Sequence, residues 1–282
     1  MTRDDELTRR LIALAFDEDI GDGDHTTLCC IPSSAEGRSR LLIKEAGVLA
    51  GMRVAQMVFA IFDGELRVET LINDGARVKP GDVAMTVTGR VRSLLQTERL
   101  MLNIVQRMSG IATITAEYVE RVKGTGARVL DTRKTTPGMR VLEKEAVRIG
   151  GGCNHRTGLY DMILLKDNHA DFAGGIAEAI TRCHDYLREK KLSLKIEIET
   201  RSFDEIRQVM ACGGVDRIML DNFSVEDTKR AVELIGGRYE TESSGGITLD
   251  TIRSYAECGV NYISVGALTH SVRCLDMSFK AC

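Results

Sequence analysis

Six short apolar runs in the second part of the chain each close on a polar residue or a glycine, and this arrangement restricts the available folds more than any other feature. The runs are ARVLDT at 127–132, DMILLKD at 161–167, KIEIE at 195–199, RIMLDN at 217–222, YETESSGG at 239–246 and YISVGA at 262–267, with helical stretches between them. Alternating β and α elements predict a parallel sheet. The closing residues Asp131, Lys166, Glu199, Asp221, Ser244 and Gly266 are spaced at about one β/α unit or slightly more. In a (β/α) barrel all strands run the same way, so these residues converge on one mouth, where such folds keep their active sites. Polar residues that merely mark the ends of buried strands would account for one or two of the six. A lysine or glutamate at such a position is costly unless solvated or paired.

Before this region the texture differs. Leu7, Leu11 and Leu14 predict a helix over 5–16, and the acidic EDIGDGDHTT reads as a loop. Residues 38–50 read as strand, 52–62 as helix, 65–72 as strand, NDGARVKPGD as turn and 83–89 as strand, giving a small α+β layer. From Val91 apolar residues keep helical spacing for about thirty positions, interrupted by Gly110, which predicts a helix bridging two domains. The boundaries expected are 1–110 for an N-terminal α+β sandwich domain with the bridging helix, and 111–282 for an α/β barrel domain whose last helix packs back on the first.

Between Arg133 and Lys166 seven Lys or Arg face three acids, inside a chain of net charge −3. Lys144 and Arg148, with Glu143 and Glu145, read as a solvated helix face. The others group differently. Arg133 and Lys134 follow a strand, His155 and Arg156 lie in the loop GGGCNHRTG, and Lys166 ends the next strand, so together they predict a pocket for a small polyanion. Arginine grips carboxylates with a planar fork while lysine suits phosphate as a mobile charge, so two kinds of cation suggest two kinds of anion. His155 alone would read as a structural hydrogen-bonding residue; beside Arg156 it reads as part of the pocket. Glu199 and Asp221 could neutralise those cations or bind sugar hydroxyls and a magnesium ion. SSGGI at 243–247 and SVGA at 264–267 end late strands with small residues and free N–H groups, the usual place for a phosphate in a barrel. The triple glycine at 150–152 reads as a flexible loop, and His25 and His169 as loop residues or supports.

Several function classes lose their signals. There is no GxxxxGK[ST], no GxGxxG after a first strand and no HExxH, which removes the usual marks of ATP hydrolysis, hydride transfer and zinc peptidases. Near-neutral charge and 5% aromatics without Trp argue against a nucleic-acid surface. The eight cysteines form no CxxC pair, which predicts reduced thiols in a cytoplasm. No secretory signal or bilayer-length apolar run is visible, so a soluble, unprocessed protein is expected.

Taken in order, ERLMLNIVQRMSGIAT, DTRKTTPGMR, GGGCNHRTGLYD, LLKDNH, EIE, MLDN, SSGGI and ISVGALTH closely resemble the quinolinate phosphoribosyltransferases, also called nicotinate-nucleotide pyrophosphorylases (carboxylating). The resemblance runs over about residues 98–276, and EDIGDGDHTT is similar to the family's first loop. It implies conversion of quinolinate and phosphoribosyl pyrophosphate to nicotinate mononucleotide, pyrophosphate and carbon dioxide with magnesium (Mg2+), in NAD biosynthesis. It also implies an N-terminal sandwich, an incomplete seven-stranded (β/α) barrel, and a homodimer or a multiple of it. On this basis Arg133, His155, Arg156 and Lys166 hold the carboxylates, with Arg99 delivered by the neighbouring subunit. Lys134 and Lys166 face the pyrophosphate, Glu199 and Asp221 take the ribose hydroxyls and magnesium, and Ser244, Gly245, Gly246 and Gly266 take the 5′-phosphate. Two departures from the family's pattern, an extra glycine in CGGVDR and Thr241 in YETE, bear on loop geometry only. A molybdenum-transport-associated paralogue, with TTRK, a PHR loop and no strand-end lysine, is disfavoured by Asp131, Asn154 and Lys166. A non-catalytic sensor of phosphorylated metabolites would not need the full carboxylate clamp.

Overall fold

The computed structural model describes residues 2–282, and the chain divides into two compact units. The first comprises residues up to Ala116, Thr135–Gly151 and Ala267–Cys282; the second comprises Glu117–Lys134 and Gly152–Gly266. The expected boundary at 110/111 falls inside a helix.

In chain order the first unit opens with α1 (Arg3–Ile20), α2 (His25–Cys30), β1 (Glu36–Ile43), β2 (Gly47–Val48), α3 (Met52–Phe62), β3 (Arg67–Thr70), β4 (Arg77–Val78), β5 (Val83–Arg90) and α4 (Val91–Val122). α1 starts where a capping box forms: the Thr2 hydroxyl accepts from Asp5 N at 3.1 Å and Thr2 N donates to Asp5 Oδ2 at 3.2 Å. α2 lies where a loop was expected. Its start is set by Asp24, whose carboxylate accepts from Thr27 N at 3.0 Å, and His25 sits exposed at its first turn. The strand expected over 38–50 is two pieces, because Gly47 brings its backbone against Thr113 and Leu275, where a Cβ would lie 2.6 Å from the Thr113 hydroxyl. α4 runs through Gly110 without a break. The glycine is required by a close approach instead, since a Cβ there would meet the Arg273 carbonyl oxygen at 2.2 Å.

The chain then continues with β6 (Arg128–Leu130), α5 (Arg140–Ile149), β7 (Ile163–Leu165), α6 (Asp167–Ala173), α7 (Ile176–Lys190), β8 (Ile196–Thr200), α8 (Phe203–Cys212), β9 (Arg217–Asp221), α9 (Val225–Ile235), β10 (Glu240–Ser244), α10 (Ile252–Ala256), β11 (Tyr262–Ser264), α11 (Ala267–His270) and β12 (Met277–Ala281). Of these, α5, α11 and β12 belong to the first unit, so the segment expected as a terminal helix is a short helix followed by a strand. β12 joins the antiparallel sheet β12-β1-β5-β3, covered by Phe59 of α3, whose ring packs 5.9 Å from that of Phe279.

α5 departs from its expected solvated face. Glu143 and Lys144 are buried, and Glu143 accepts from Arg107 Nε at 2.8 Å and from Thr136 N at 3.2 Å. Glu145 accepts from Arg53 Nε at 3.1 Å and from its Nη2 at 2.7 Å. Gly150 is likewise no flexible hinge, since its Cβ would lie 2.4 Å from the Ala112 carbonyl.

The second unit is one parallel sheet in the order β6-β11-β10-β9-β8-β7, with a parallel bridge from Leu130 to Cys153 at the outer edge of β6. Six strands and that single bridge therefore stand where seven strands were expected. Among the described residues no helix is long and apolar enough to cross a membrane, and all eight cysteines are free thiols.

Candidate active site

Side chains alternate across a strand, so register decides which residues share a face. The pairings Leu164↔Glu197, Glu197↔Arg217, Glu199↔Met219, Glu240↔Arg217, Glu242↔Met219, Ser244↔Asp221 and Glu242↔Tyr262 put one set on a common face of the sheet. Ile196, Ile198, Ile218, Leu220 and Ile263 take the other face and are buried. Barrel interiors are ordinarily filled with branched apolar layers. Here the inner face is charged along its whole height.

At the N-terminal ends of the strands Arg217 stacks on the Tyr262 ring at 3.9 Å, with Arg128 at 5.0 Å from the same ring. Arg217 Nη1 lies 2.9 Å from Glu242 and 3.6 Å from Glu197, and its Nη2 lies 3.2 Å from Glu240. Burial alone would lower the guanidinium's pKa, but these three carboxylates outweigh it and raise it. Burial pushes both Glu197 and Glu242 upward, and for Glu242 the neighbouring Glu197 adds to the effect. Above them His155 is buried, with Nε2 3.0 Å from Glu197 and 3.6 Å from Glu242.

The mouth lies at the C-terminal ends. Lys166 follows β7 and places Nζ 3.2 Å from Glu199 Oε2 on β8. The backbone N–H of Lys166 donates to His169 Nδ1 at 2.9 Å, so His169 supports the start of α6. Asp221 ends β9 and accepts from the Asn222 amide at 2.7 Å, while Asn222 N donates to the Ser244 carbonyl at 2.8 Å. Gly245 (φ +107°) and Gly246 (φ +58°) then turn the chain in conformations that favour glycine. A Cβ on Gly245 would stand 2.2 Å from Asn222 Oδ1, so the two loops meet closely at this glycine and an alanine there would push Asn222 aside. Gly245→Ala is expected to leave a folded protein with phosphoribosyl pyrophosphate affinity reduced at least tenfold, measured by titration calorimetry; unchanged affinity would remove these loops from phosphate recognition.

Arg133 and Lys134 are exposed just beyond β6, and Lys134 N donates to Thr132 Oγ1 at 3.0 Å. The loop carrying His155 and Arg156 is fastened from beneath by Asp131, which accepts from Asn154 Nδ2 at 2.5 Å and from His155 N at 2.8 Å. Further on, Asp161 accepts from Thr157 N at 2.7 Å and Gly158 N at 2.9 Å and closes the turn that follows Arg156. Burial, and next the charge of Arg133, lower the Arg156 guanidinium from its ordinary value. Two guanidinium groups thus repel each other in one loop region. Gly266 follows β11 by two residues, near the end of the neighbouring strand β10. Arg99 is exposed on α4, in the first unit.

Glu197, Arg217, Glu240 and Glu242 were absent from the candidates that the sequence offers. The signal lay upstream of two closing residues: E-x-E at 197/199 and E-x-E-x-S at 240/242/244 repeat with strand period. Thr241 departs from an apolar pattern because its backbone N–H and hydroxyl both engage Asn261 Oδ1, at 2.8 and 3.1 Å.

Residues 111–280 match the family model for the C-terminal domain of quinolinate phosphoribosyl transferase, and residues 24–109 match its N-terminal domain. A quinolinate phosphoribosyltransferase [decarboxylating] of Nicotiana tabacum is 44% identical over 287 residues, covering 96% of this chain and 81% of that protein. The nicotinate-nucleotide pyrophosphorylase [carboxylating] of Mycobacterium leprae is 43% identical and covers 96% of both chains. Among solved structures, NadC of Streptococcus pyogenes superposes with a TM-score of 0.90 at 42% identity, covering 95% of this chain and 94% of that one. The nicotinate-nucleotide pyrophosphorylase of Francisella tularensis superposes with a TM-score of 0.93 at 36% identity, covering 100% and 98%.

Proposed function

The chain belongs to the quinolinate phosphoribosyltransferase family and is an enzyme of NAD biosynthesis, a nicotinate-nucleotide diphosphorylase (carboxylating); we propose that the mouth of its parallel sheet is the seat of the reaction. The substrates are quinolinate and phosphoribosyl pyrophosphate, and the products nicotinate mononucleotide, pyrophosphate and carbon dioxide. The observation that carries the site is the gathering at the strands' C-terminal ends of Lys166, 3.2 Å from Glu199, and Asp221, beside Arg156, on which the charge of Arg133 acts and which a dicarboxylate would neutralise.

In this reading Arg133 and Arg156 clamp the carboxylates and Lys166 completes the cationic wall, while His155, expected among the carboxylate contacts, supports the Arg156 backbone from beneath. The pyridine nitrogen lone pair forms the bond to the anomeric carbon while the bond to pyrophosphate breaks and its electrons leave with the oxygen. Lys134 and Lys166 draw the negative charge that appears there, which is work of positioning and electrostatics. The glycosylated nitrogen is then cationic. The carboxylate beside it leaves as carbon dioxide, its bonding pair remains on the ring carbon next to that nitrogen, and a proton replaces it.

Glu199 and Asp221 end adjacent strands on the same face, and carboxylate oxygens of this kind suit magnesium. When bound, magnesium would neutralise pyrophosphate charge. Glu199 also accepts from Lys166 Nζ at 3.2 Å. The small loop at 244–246, with Gly266, takes the 5′-phosphate. Incubation with quinolinate, phosphoribosyl pyrophosphate and magnesium, followed by mass spectrometry, should yield nicotinate mononucleotide. Binding without turnover would indicate a sensor, and turnover of another base a paralogue. Free thiols throughout the chain suit a reducing cytoplasm, the location we assign.

Arg99 completes the site from a two-fold partner in this reading, because it precedes the parallel sheet and lies in the other compact unit. An isologous dimer delivers such a residue reciprocally. Arg99→Ala and Lys166→Ala chains, each folded and each inactive, should regain about a quarter of wild-type sites when mixed and exchanged, since one site in a mixed dimer inherits neither defect. No recovery after demonstrated exchange would place Arg99 in its own chain's site or outside it.

A further inference from the structure

Beneath the mouth His155, Glu197 and Glu242 bring ligand-type atoms within 4.8 Å of one another, all buried. A metal is not needed to explain them, because the Arg217 guanidinium already supplies the cation at 2.9 Å from Glu242 and 3.6 Å from Glu197. The remaining faces of this cluster are equally occupied. Glu240 of β10 and Tyr262 of β11 pack against Arg217, and the charge of Arg156 acts on Glu197.

The two nitrogens of His155 face different ways. Nδ1 accepts the backbone N–H of Arg156 at 2.7 Å, which requires that nitrogen to be unprotonated and puts the ring proton on Nε2. Nε2 lies 3.0 Å from Glu197 in close polar contact without hydrogen-bond geometry. The ring therefore joins the buried carboxylates to the main chain of the arginine that carries the clamp, while Asp131 holds His155 N from the other side.

We infer that Glu197 and Glu242 are positioning residues for quinolinate: held by Arg217, they fix the tautomer and orientation of His155, and His155 fixes the backbone of Arg156. The inference rests on the site proposed above. The imidazole carries the geometric part of the effect, because its Nδ1 holds the Arg156 backbone N–H. A clamp on a rigid dicarboxylate depends on such placement, since small displacements cost large factors in binding and rate.

The test is a double-mutant cycle read by quinolinate affinity. Glu197→Gln keeps the volume and removes the charge that faces Nε2, and a buried charge contact of this kind is worth roughly a tenfold change or more. Quinolinate Kd should rise about tenfold while phosphoribosyl pyrophosphate Kd stays within about twofold. In a His155→Asn background, which retains a short acceptor near Arg156 N–H but breaks the link downward, the same substitution should change quinolinate Kd by less than about twofold. An equal loss in both backgrounds, or for both substrates, would overturn the inference. Glu242→Gln enters the same cycle should Glu197→Gln not fold. Nitrogen NMR of the wild-type protein, assigned through His155→Asn, supplies a measurement that needs neither carboxylate variant: protonated Nε2 with unprotonated Nδ1 is expected, and the opposite tautomer overturns the inference. Wild-type protein that fails to bind quinolinate at all would instead refute the proposed site, and the tautomer would still be measurable.

Discussion

Arg156→Lys is expected to weaken quinolinate binding by about 1.5–3 kcal/mol, some tenfold to a hundredfold, with phosphoribosyl pyrophosphate affinity nearly unchanged. The charge survives this substitution but the fork does not, and only a planar guanidinium engages both oxygens of a carboxylate at once. Arg156 is partly buried, it sits in the field of Arg133, and its Nη1 approaches the Met162 carbonyl at 3.4 Å. A lysine ammonium, more strongly hydrated and lacking the second donor arm, would lie less well in that setting. Calorimetric titration with each substrate separates the outcomes. Equal losses for both substrates would mean that Arg156 holds the loop together rather than reading a carboxylate.

Arg217→Met should cost about 3–5 kcal/mol of stability near pH 8, lowering Tm by roughly 6–15 °C, because it leaves buried carboxylates without their cation. The arginine is now the shared partner of Glu197, Glu240 and Glu242 and is stacked on Tyr262. The pH dependence gives the prediction its sign. Burial, then the charge of Glu197, push Glu242 up to about 8, and burial pushes Glu197 up to about 6. A carboxyl whose folded-state pKa is raised contributes stability below its unfolded value and loses it as pH climbs through the folded value. Without Arg217 the upward push grows. The variant's deficit should therefore be small at pH 5, where the pair can protonate, and widen steadily toward pH 8. A Tm difference constant over that range would show that the carboxylates do not carry the effect.

The residues that close the strands were legible because a polar group after an apolar run is conspicuous and β/α spacing places such groups at one end of a sheet. The charged inner face was not. Ile196, Ile198, Ile218 and Leu220 made β8 and β9 read as buried apolar strands, and the glutamates and arginine between them belong to the opposite face, a distinction of register that only pairing reveals. The helix at 52–62 was legible to its bounds, since apolar spacing and Gly51 mark it locally. α2 was missed for being six residues long in an acidic, glycine-flanked segment whose one helical cue is Asp24. Glu143 and Lys144 looked solvated because their spacing on α5 permits surface pairing. The Arg107 that buries Glu143 lies on α4, and no local pattern announces it.

The chain passes between its two compact units four times, and the strand that gives β1 its second neighbour is β12, at Met277–Ala281. A ribosome making this protein must therefore pass Ala281 before the antiparallel sheet is complete. Until then β1, the natural centre of that sheet, carries a bare row of N–H and C=O groups, the kind of edge that recruits strands from other chains. Protection of the nascent chain from aggregation should therefore matter most while Glu36–Ile43 waits for Met277–Ala281, and loss of that late strand would disturb a sheet whose other strands were made long before it.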